Sequence, residues 1–185
     1  MKVEAEQARA RSRDELDGQL ETGNTVERNR YRRGNRMQIR EIMTSDPACC
    51  TADTTLPEVG RMMIDNDCGE IPVVENRGSR IPIGVVTDRD IVCRTVANGI
   101  NPVELTAADC MSKQIVTVTP DMSLDDCCRI MEAKQIRRVP VVDERGACVG
   151  IVSLADIARQ TNKGLAGEIV TQVSEPTSAA SATAR

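Results

Sequence analysis

The sequence contains no histidine, no tryptophan and no phenylalanine, and Tyr31 is its one aromatic residue. Without histidine there is no Ser-His-Asp or Cys-His catalysis and no imidazole ligand for a metal. Recognition of nucleic acid by stacking bases on aromatic platforms lacks its platforms. The core has to be aliphatic, with methionine and cysteine as fillers. No run of about eighteen apolar residues occurs, so no spanning helix is expected. The N-terminus is charged from Lys2 onward and lacks the apolar stretch of a secretory signal. Eight cysteines are present (Cys49, Cys50, Cys68, Cys93, Cys110, Cys127, Cys128 and Cys148), and no two are spaced C-x-x-C. These features predict a cytoplasmic chain whose thiols stay reduced and mostly serve as small buried hydrophobes.

The 185 residues suit one domain, or two small ones sharing a core. Charge is unevenly placed. Nine Lys/Arg against seven Asp/Glu leave residues 1–36 at +2, while fifteen basic and twenty-one acidic residues put 37–185 at −6. The mildly acidic larger part disfavours nucleic acid. Residues 1–37 carry few large aliphatics and are expected to be a disordered, charged tail. Within it, "RNRYRRGNR" at 28–36 places five arginines in nine positions. That is the one stretch suited to an anionic partner such as RNA.

From Ile42 the chain repeats. Residues 43–78 shifted by 68 positions align with 111–146 at eleven identities: Met43, Thr51, Asp53, Leu56, Arg61, Met63, Pro72, Val73, Val74, Arg77 and Gly78. Two extra residues in the first copy then reduce the shift to 66. Gly84, Val86, Asp90 and Ile91 match Gly150, Val152, Asp156 and Ile157. Such repetition marks one supersecondary unit written twice. Each copy reads as a short strand, a helix, two strands joined by a polar turn ending in glycine, and a second helix. Leu124, Cys127, Cys128 and Met131 form one apolar stripe behind a Ser123 cap, and Leu56, Val59 and Met63 match it. The expected fold is α+β, two β-α-β-β-α units over 38–100 and 101–162 packed about a pseudo-twofold axis. One unit alone would leave half its core exposed. A short helix carrying Leu165, Ile169 and Val173 on one face follows, within a tail at 163–185.

The second strand of each copy ends in "GVVTDRD" or "GIVSLAD". Thr87-x-x-Asp90 and Ser153-x-x-Asp156 are capping boxes, and helix starts need nothing more. The same geometry suits a ligand. Free N–H groups at a helix start attract an anion, a hydroxyl bonds a phosphate or sugar oxygen, and a carboxylate one turn in accepts from vicinal ribose hydroxyls. Gly84 and Gly150 allow a close backbone approach.

The ordered motifs "EIMT…DTTLPEVGRMM…CGEIPVV…GVVTDRDI" and "DCMS…DMSLDDCCRIM…IRRVPVV…GIVSLADI" resemble the cystathionine β-synthase (CBS) domain, and the tandem resembles a Bateman module. The resemblance covers residues 38–161 and is nearest to the small stand-alone CBS-pair proteins of bacteria. It implies a regulatory, non-enzymatic module that binds an adenine nucleotide such as AMP or ATP, or S-adenosylmethionine, between the repeats. No required cofactor is implied. Carried over position by position, Thr87, Asp90, Ser153 and Asp156 would meet ribose and phosphate. Arg137 and Arg138 would meet phosphate, and Thr44 and Ser112 would line the adenine pocket. The base would lie among Ile42, Val116 and Val152. Gly69-Glu70 stands where the second copy has Arg137-Arg138, so one competent cleft is expected, the one into which the arginines point. A homodimer and a regulated partner acting in trans are implied as well. Two alternatives stay open: a ligand-free dimerisation scaffold, and a thiol-based stress protein using Cys49-Cys50 or Cys127-Cys128.

Overall fold

The structure, a computed structural model, describes residues 37–160 and 163–174, and every helix and strand among them belongs to the compact unit Gln38–Arg185. The arginine-rich stretch 28–36 and the tail beyond residue 174 lie outside the described residues.

The chain runs β1 (Thr44–Ser45), β2 (Cys50–Thr51), α1 (Leu56–Asp65), β3 (Glu70–Val74), β4 (Pro82–Thr87), α2 (Asp88–Arg94) and α3 (Ala107–Cys110). It continues through α4 (Leu124–Lys134), β5 (Arg138–Val142), β6 (Cys148–Ser153), α5 (Leu154–Gln160) and α6 (Lys163–Ser174). The mixed helices and sheets form the expected α+β fold. Both helical stripes face inward: Leu56, Val59 and Met63 on α1, and Leu124, Cys127, Cys128 and Met131 on α4. Thr55 starts α1 with a capping box to Glu58, and Ser123 Oγ accepts from the Asp126 amide at 3.2 Å.

Each hairpin is antiparallel, with β3 against β4 and β5 against β6, and each carries an irregularity at the same place, Val73/Val74 and Val141/Val142. The turns differ. Gly146 takes a left-handed φ of 79°, whereas in the longer first turn Arg80, not Gly78, does so at 53°. The two extra residues move the reversal past the glycine. The second helix of the first copy ends at Arg94 and gives way to a 3-10 turn over Val96–Asn98. The Thr95 hydroxyl donates to the Ile91 carbonyl at 2.6 Å at this break.

The two sheets have equivalent orders. One is β2-β3-β4, extended by a Val85–Ser112 bridge; the other is β5-β6-β1, extended by a Val118–Val141 bridge. The outer position of each sheet is therefore filled from the other half of the chain. Thr44 pairs with Ile151, and Ser45 with Gly150. The Ile39 and Arg40 amides donate to the Met122 and Pro120 carbonyls, while the Leu56 and Ala107 amides donate to Leu105 and Thr54. Residues 38–45 thus complete the second repeat, and 105–112 complete the first. The core around Val59, Ile71 and Val86 includes Ala107 and Cys110 and is flanked by Leu105 and Met111. Nothing in the two contiguous sequence blocks signals this exchange.

The exchange explains both glycines. A Cβ on Gly84 would lie 2.9 Å from the Ser112 carbonyl oxygen and 3.0 Å from Met111 Sδ. On Gly150 it would lie 2.5 Å from Met43 Sδ and 3.3 Å from the Thr44 carbonyl. Each glycine makes room for the lead-in strand of the opposite repeat. Behind these sheets α6 packs on α4 and α5, burying Ile169 and Val173; the side chain of Leu165 lies outside the described residues.

Candidate functional site

Thr87 is the last residue of β4 and caps α2. Its amide and hydroxyl both donate to Asp90 Oδ2, at 3.1 and 2.7 Å, and its Oγ1 accepts from the Asp90 amide at 3.0 Å. The other carboxylate oxygen faces the segment that crosses from the second half. Ser112 Oγ donates to Asp90 Oδ1 at 3.4 Å, and Arg94 approaches the same oxygen at 3.1 Å. The Arg94 guanidinium also donates to the Cys110 and Met111 carbonyls at 2.6 and 2.7 Å and to Ser112 Oγ at 2.8 Å. The Thr87–Asp90 capping box and Ser112, named separately from sequence, therefore form one cluster. Arg94 belongs to it and was missed. Its position one helical turn beyond Asp90 was the available signal.

The second copy builds the same turn. The Ser153 amide and hydroxyl donate to Asp156 Oδ2 at 2.8 and 2.6 Å, and Ser153 Oγ accepts from the Asp156 amide at 3.2 Å. Arg159 pairs with Asp156 Oδ1 from the exposed side. Thr44 reaches this sheet through β1, exposed beside Ile151, and makes no hydrogen bond to Asp156. The Asp90 and Asp156 side chains keep only 18% and 13% of their surface exposed, so neither points into bulk solvent. The capping boxes are present in full, and each leaves one carboxylate oxygen held only by side chains able to swing away.

The arginine pair splits. Arg137 is exposed, while its carbonyl accepts from the Leu154 amide at 3.0 Å. Arg138 begins beside Ser153 in the β5–β6 ladder but reaches across to the first repeat, where Nη1 lies 3.6 Å from the position of a Cβ on Gly69. An oxygen of Asp88 lies 2.8 Å from that same point. Glu70, the counterpart of Arg138, pairs with Thr87 in the β3–β4 ladder and is 8% exposed, with Oε1 lacking a hydrogen-bond partner. Burial pushes its carboxyl up to about 7, opposed by the Arg138 charge and aided by Asp90. Of the residues expected to sandwich a base, Ile42 and Val152 are buried and Val116 is half-buried.

An open groove of about 510 Å³ lies elsewhere, lined by Thr51, Asp53, Glu58, Arg61 and Arg77. Neither capping-box aspartate lines it. Among the described residues no group of three or more Cys, Asp and Glu is placed to hold a metal ion, and no helix is long and apolar enough to cross a membrane.

Two repeats that exchange their lead-in strands, each carrying a hydroxyl–carboxylate helix start, define a paired-repeat module. The chain belongs to the CBS domain family, with residues 39–94 and 107–162 each matching the CBS domain. It is 36% identical to the CBS domain-containing protein YhcV of Bacillus subtilis over 137 residues, 74% of this chain and 94% of that one. It is also 36% identical to the uncharacterized protein MK0525 of Methanopyrus kandleri over 118 residues, 64% of this chain but only 57% of that longer protein. Among solved structures it resembles the CBS domain pair of MJ0100 in complex with 5-methylthioadenosine and S-adenosyl-L-methionine. The TM-score is 0.61 at 23% identity, covering 68% of this chain and 96% of that one.

Proposed function

We propose that the chain is a regulatory module that binds an adenosyl ligand between its repeats and acts on a partner protein in trans. The ligand class is an adenine nucleotide (AMP, ADP or ATP) or S-adenosylmethionine. One observation carries the reading: the Thr87–Asp90 turn of the first repeat meets Ser112 on the segment lent by the second, and the second repeat carries the same hydroxyl–carboxylate turn. A ligand seated there touches both repeats at once, and so favours one mutual arrangement of them over another. The two adenosyl compounds in the MJ0100 pair support the ligand class.

In this reading Asp90 and Asp156 accept from ribose hydroxyls once Arg94 or Arg159 swings away. Thr87 and Ser153 offer their hydroxyls to sugar or phosphate, and Ser112 and Thr44 border the base. The site at Thr87, Asp90 and Ser112 is the competent one, because Arg138 reaches it and Arg94 adds a second cation. The module has no catalytic role of its own and works in the cytoplasm, a setting that suits its eight free thiols. It pairs with a second copy through apolar side chains left exposed on the helical side. These are Ile64 on α1, Val92 on α2, Val96 on the 3-10 turn Val96–Asn98 and Val103 on a further 3-10 turn, Pro102–Glu104, all more than half exposed.

Calorimetry and thermal shift with AMP, ADP, ATP, NAD and S-adenosylmethionine test the reading. At least one adenosyl compound should raise the midpoint, since a ligand that binds only the folded state stabilises it. No shift with any of them, at millimolar concentration, would leave a dimerising scaffold as the function.

A further inference from the structure

Cys49 and Cys148 come from opposite halves of the chain. Cys148 opens β6, the strand that pairs with the crossing strand β1, and Cys49 follows β1 by four residues. The exchange of lead-in strands brings the two thiols together. The Cys148 thiol donates to the Gly150 carbonyl at 3.5 Å and the Cys49 thiol to the Pro47 carbonyl at 3.4 Å; the neighbouring Cys148 side chain, helped by Arg80, holds the Cys49 thiol below the ordinary cysteine value. Cys148 is 1% exposed, and its contact with Cys49 together with burial raises its own thiol. Cys49 is only partly buried, so a small oxidant has access to it.

Arg80 organises the pair. It comes from the β3–β4 turn of the first repeat, where its backbone is left-handed. Its guanidinium donates to the Cys148 carbonyl at 3.1 Å, to the Pro47 carbonyl at 2.9 Å and to Cys49 Sγ at 3.5 Å. It also pairs with Asp46 at 3.0 Å, and its own carbonyl accepts from the Cys148 amide at 2.9 Å. A cation is thus built against one sulfur and against the backbone of the residue that carries the second. The remaining thiols lack this arrangement. Burial pushes Cys50, Cys127 and Cys128 up to about 12.

We propose that Cys49 and Cys148 form a peroxide-reactive dithiol, with Cys49 as the attacking thiolate, Cys148 as the resolving thiol and Arg80 as the positioning cation. The Cys49 sulfur attacks one oxygen of a hydroperoxide, and the O–O bond breaks. The other oxygen leaves and takes up a proton, leaving Cys49 as a sulfenic acid. The Cys148 sulfur then attacks the Cys49 sulfur as its proton departs. The S–O bond breaks, a water leaves and the disulfide forms. With hydrogen peroxide the balance is two thiols and one peroxide in, one disulfide and two waters out. The product ties the strand that carries Thr44 to the sheet that carries Ser153. This proposal does not depend on adenosyl binding.

The test uses the full reduced chain treated with hydrogen peroxide, with non-reducing peptide mapping by mass spectrometry. The expected result is a Cys49–Cys148 cross-linked peptide, formed before Cys93 is modified although Cys93 is the exposed thiol. Cys148→Ser should stop at a Cys49 sulfenic acid trapped by dimedone, and Cys49→Ser should give neither species. Arg80→Gln should slow disulfide formation at pH 7 by about three- to tenfold. Circular dichroism of each variant establishes that it is folded, and mapping of the unsubstituted chain needs no variant at all. Cross-linked peptide without slowing in a folded Arg80→Gln would remove the assigned role of the arginine. Oxidation at Cys93 while Cys49 and Cys148 both remain alkylatable thiols would overturn the proposal.

Discussion

Glu70 and Arg138 stand at equivalent positions of the two repeats, and Arg138 reaches across to the strand start that carries Glu70. The pair sets a carboxyl of 8% exposure against a cation from the other half, with Asp90 nearby and an Asp88 oxygen at the adjoining Gly69. An isolated buried carboxylate is costly, and Arg138 offsets only part of that cost.

Glu70 makes stability depend on pH. The unfolded carboxyl loses its proton near the ordinary 4.5 and the folded one near 7. Between these values the folded state binds more protons, so stability falls as pH rises. The contribution is fully present below about 4.5 and lost by about 7. Glu70→Gln should therefore match the unsubstituted chain at about pH 4 and exceed it at about pH 8, by roughly 1–3 kcal/mol in denaturant titrations. The exposed capping carboxylates Glu58 and Asp109 are held low by their threonine partners and act in the opposite sense, at the acid end.

Gly84→Ala should destabilise more than Gly150→Ala. The first would press on a backbone carbonyl at 2.9 Å, the second mainly on the flexible end of Met43. About 1–3 kcal/mol is expected at Gly84 and less at Gly150, where a thioether can turn aside. Thermal denaturation of the two variants in parallel gives the ranking, and equal losses would contradict the packing described.

Ile39 tests the exchange of segments. It is fully buried although it stands at the very start of the first repeat, and its own amide and that of Arg40 are bonded to Met122 and Pro120. Ile39→Ala should cost about 2–4 kcal/mol. Hydrogen exchange should rise first around β5 and β6 of the second repeat. Loosening confined to β3 and β4 would show that the segment serves its own repeat.

Ligand contacts predict a pattern among variants. Asp90→Ala and Arg138→Ala should lose most of the adenosyl-induced thermal shift, whereas Arg137→Ala on the surface should keep it. Asp156→Ala should matter less, because Arg138 reaches away from that site. Equal loss for Asp90→Ala and Asp156→Ala in calorimetry would mean two equivalent sites.

Self-association is predicted from the exposed valines. Val92→Glu with Val103→Glu should convert a dimer to a monomer in sedimentation experiments, while leaving the circular dichroism spectrum unchanged. A chain already monomeric before substitution would end this expectation.

The repeat was legible because hydrophobic spacing and capping chemistry are local. Leu124, Cys127, Cys128 and Met131 had to share a face at helical period, and Thr87 had to cap where Asp90 stands three residues on. The site was half legible for the same reason: each hydroxyl–carboxylate turn is a four-residue motif. Its surroundings were not. Ser112 meets Asp90 and Cys49 comes beside the β6 strand of Cys148 because two lead-in strands change places between sheets, and Arg138 comes near Glu70 because the two repeats pack on one another. A strand finds its partner through backbone hydrogen bonds that any residue offers, so side-chain pattern does not say which sheet it joins. Sequence alone determined the two units, their inward faces and their helix starts. Tertiary structure decided which unit each strand completes, and thereby which charges and thiols face one another across the repeats.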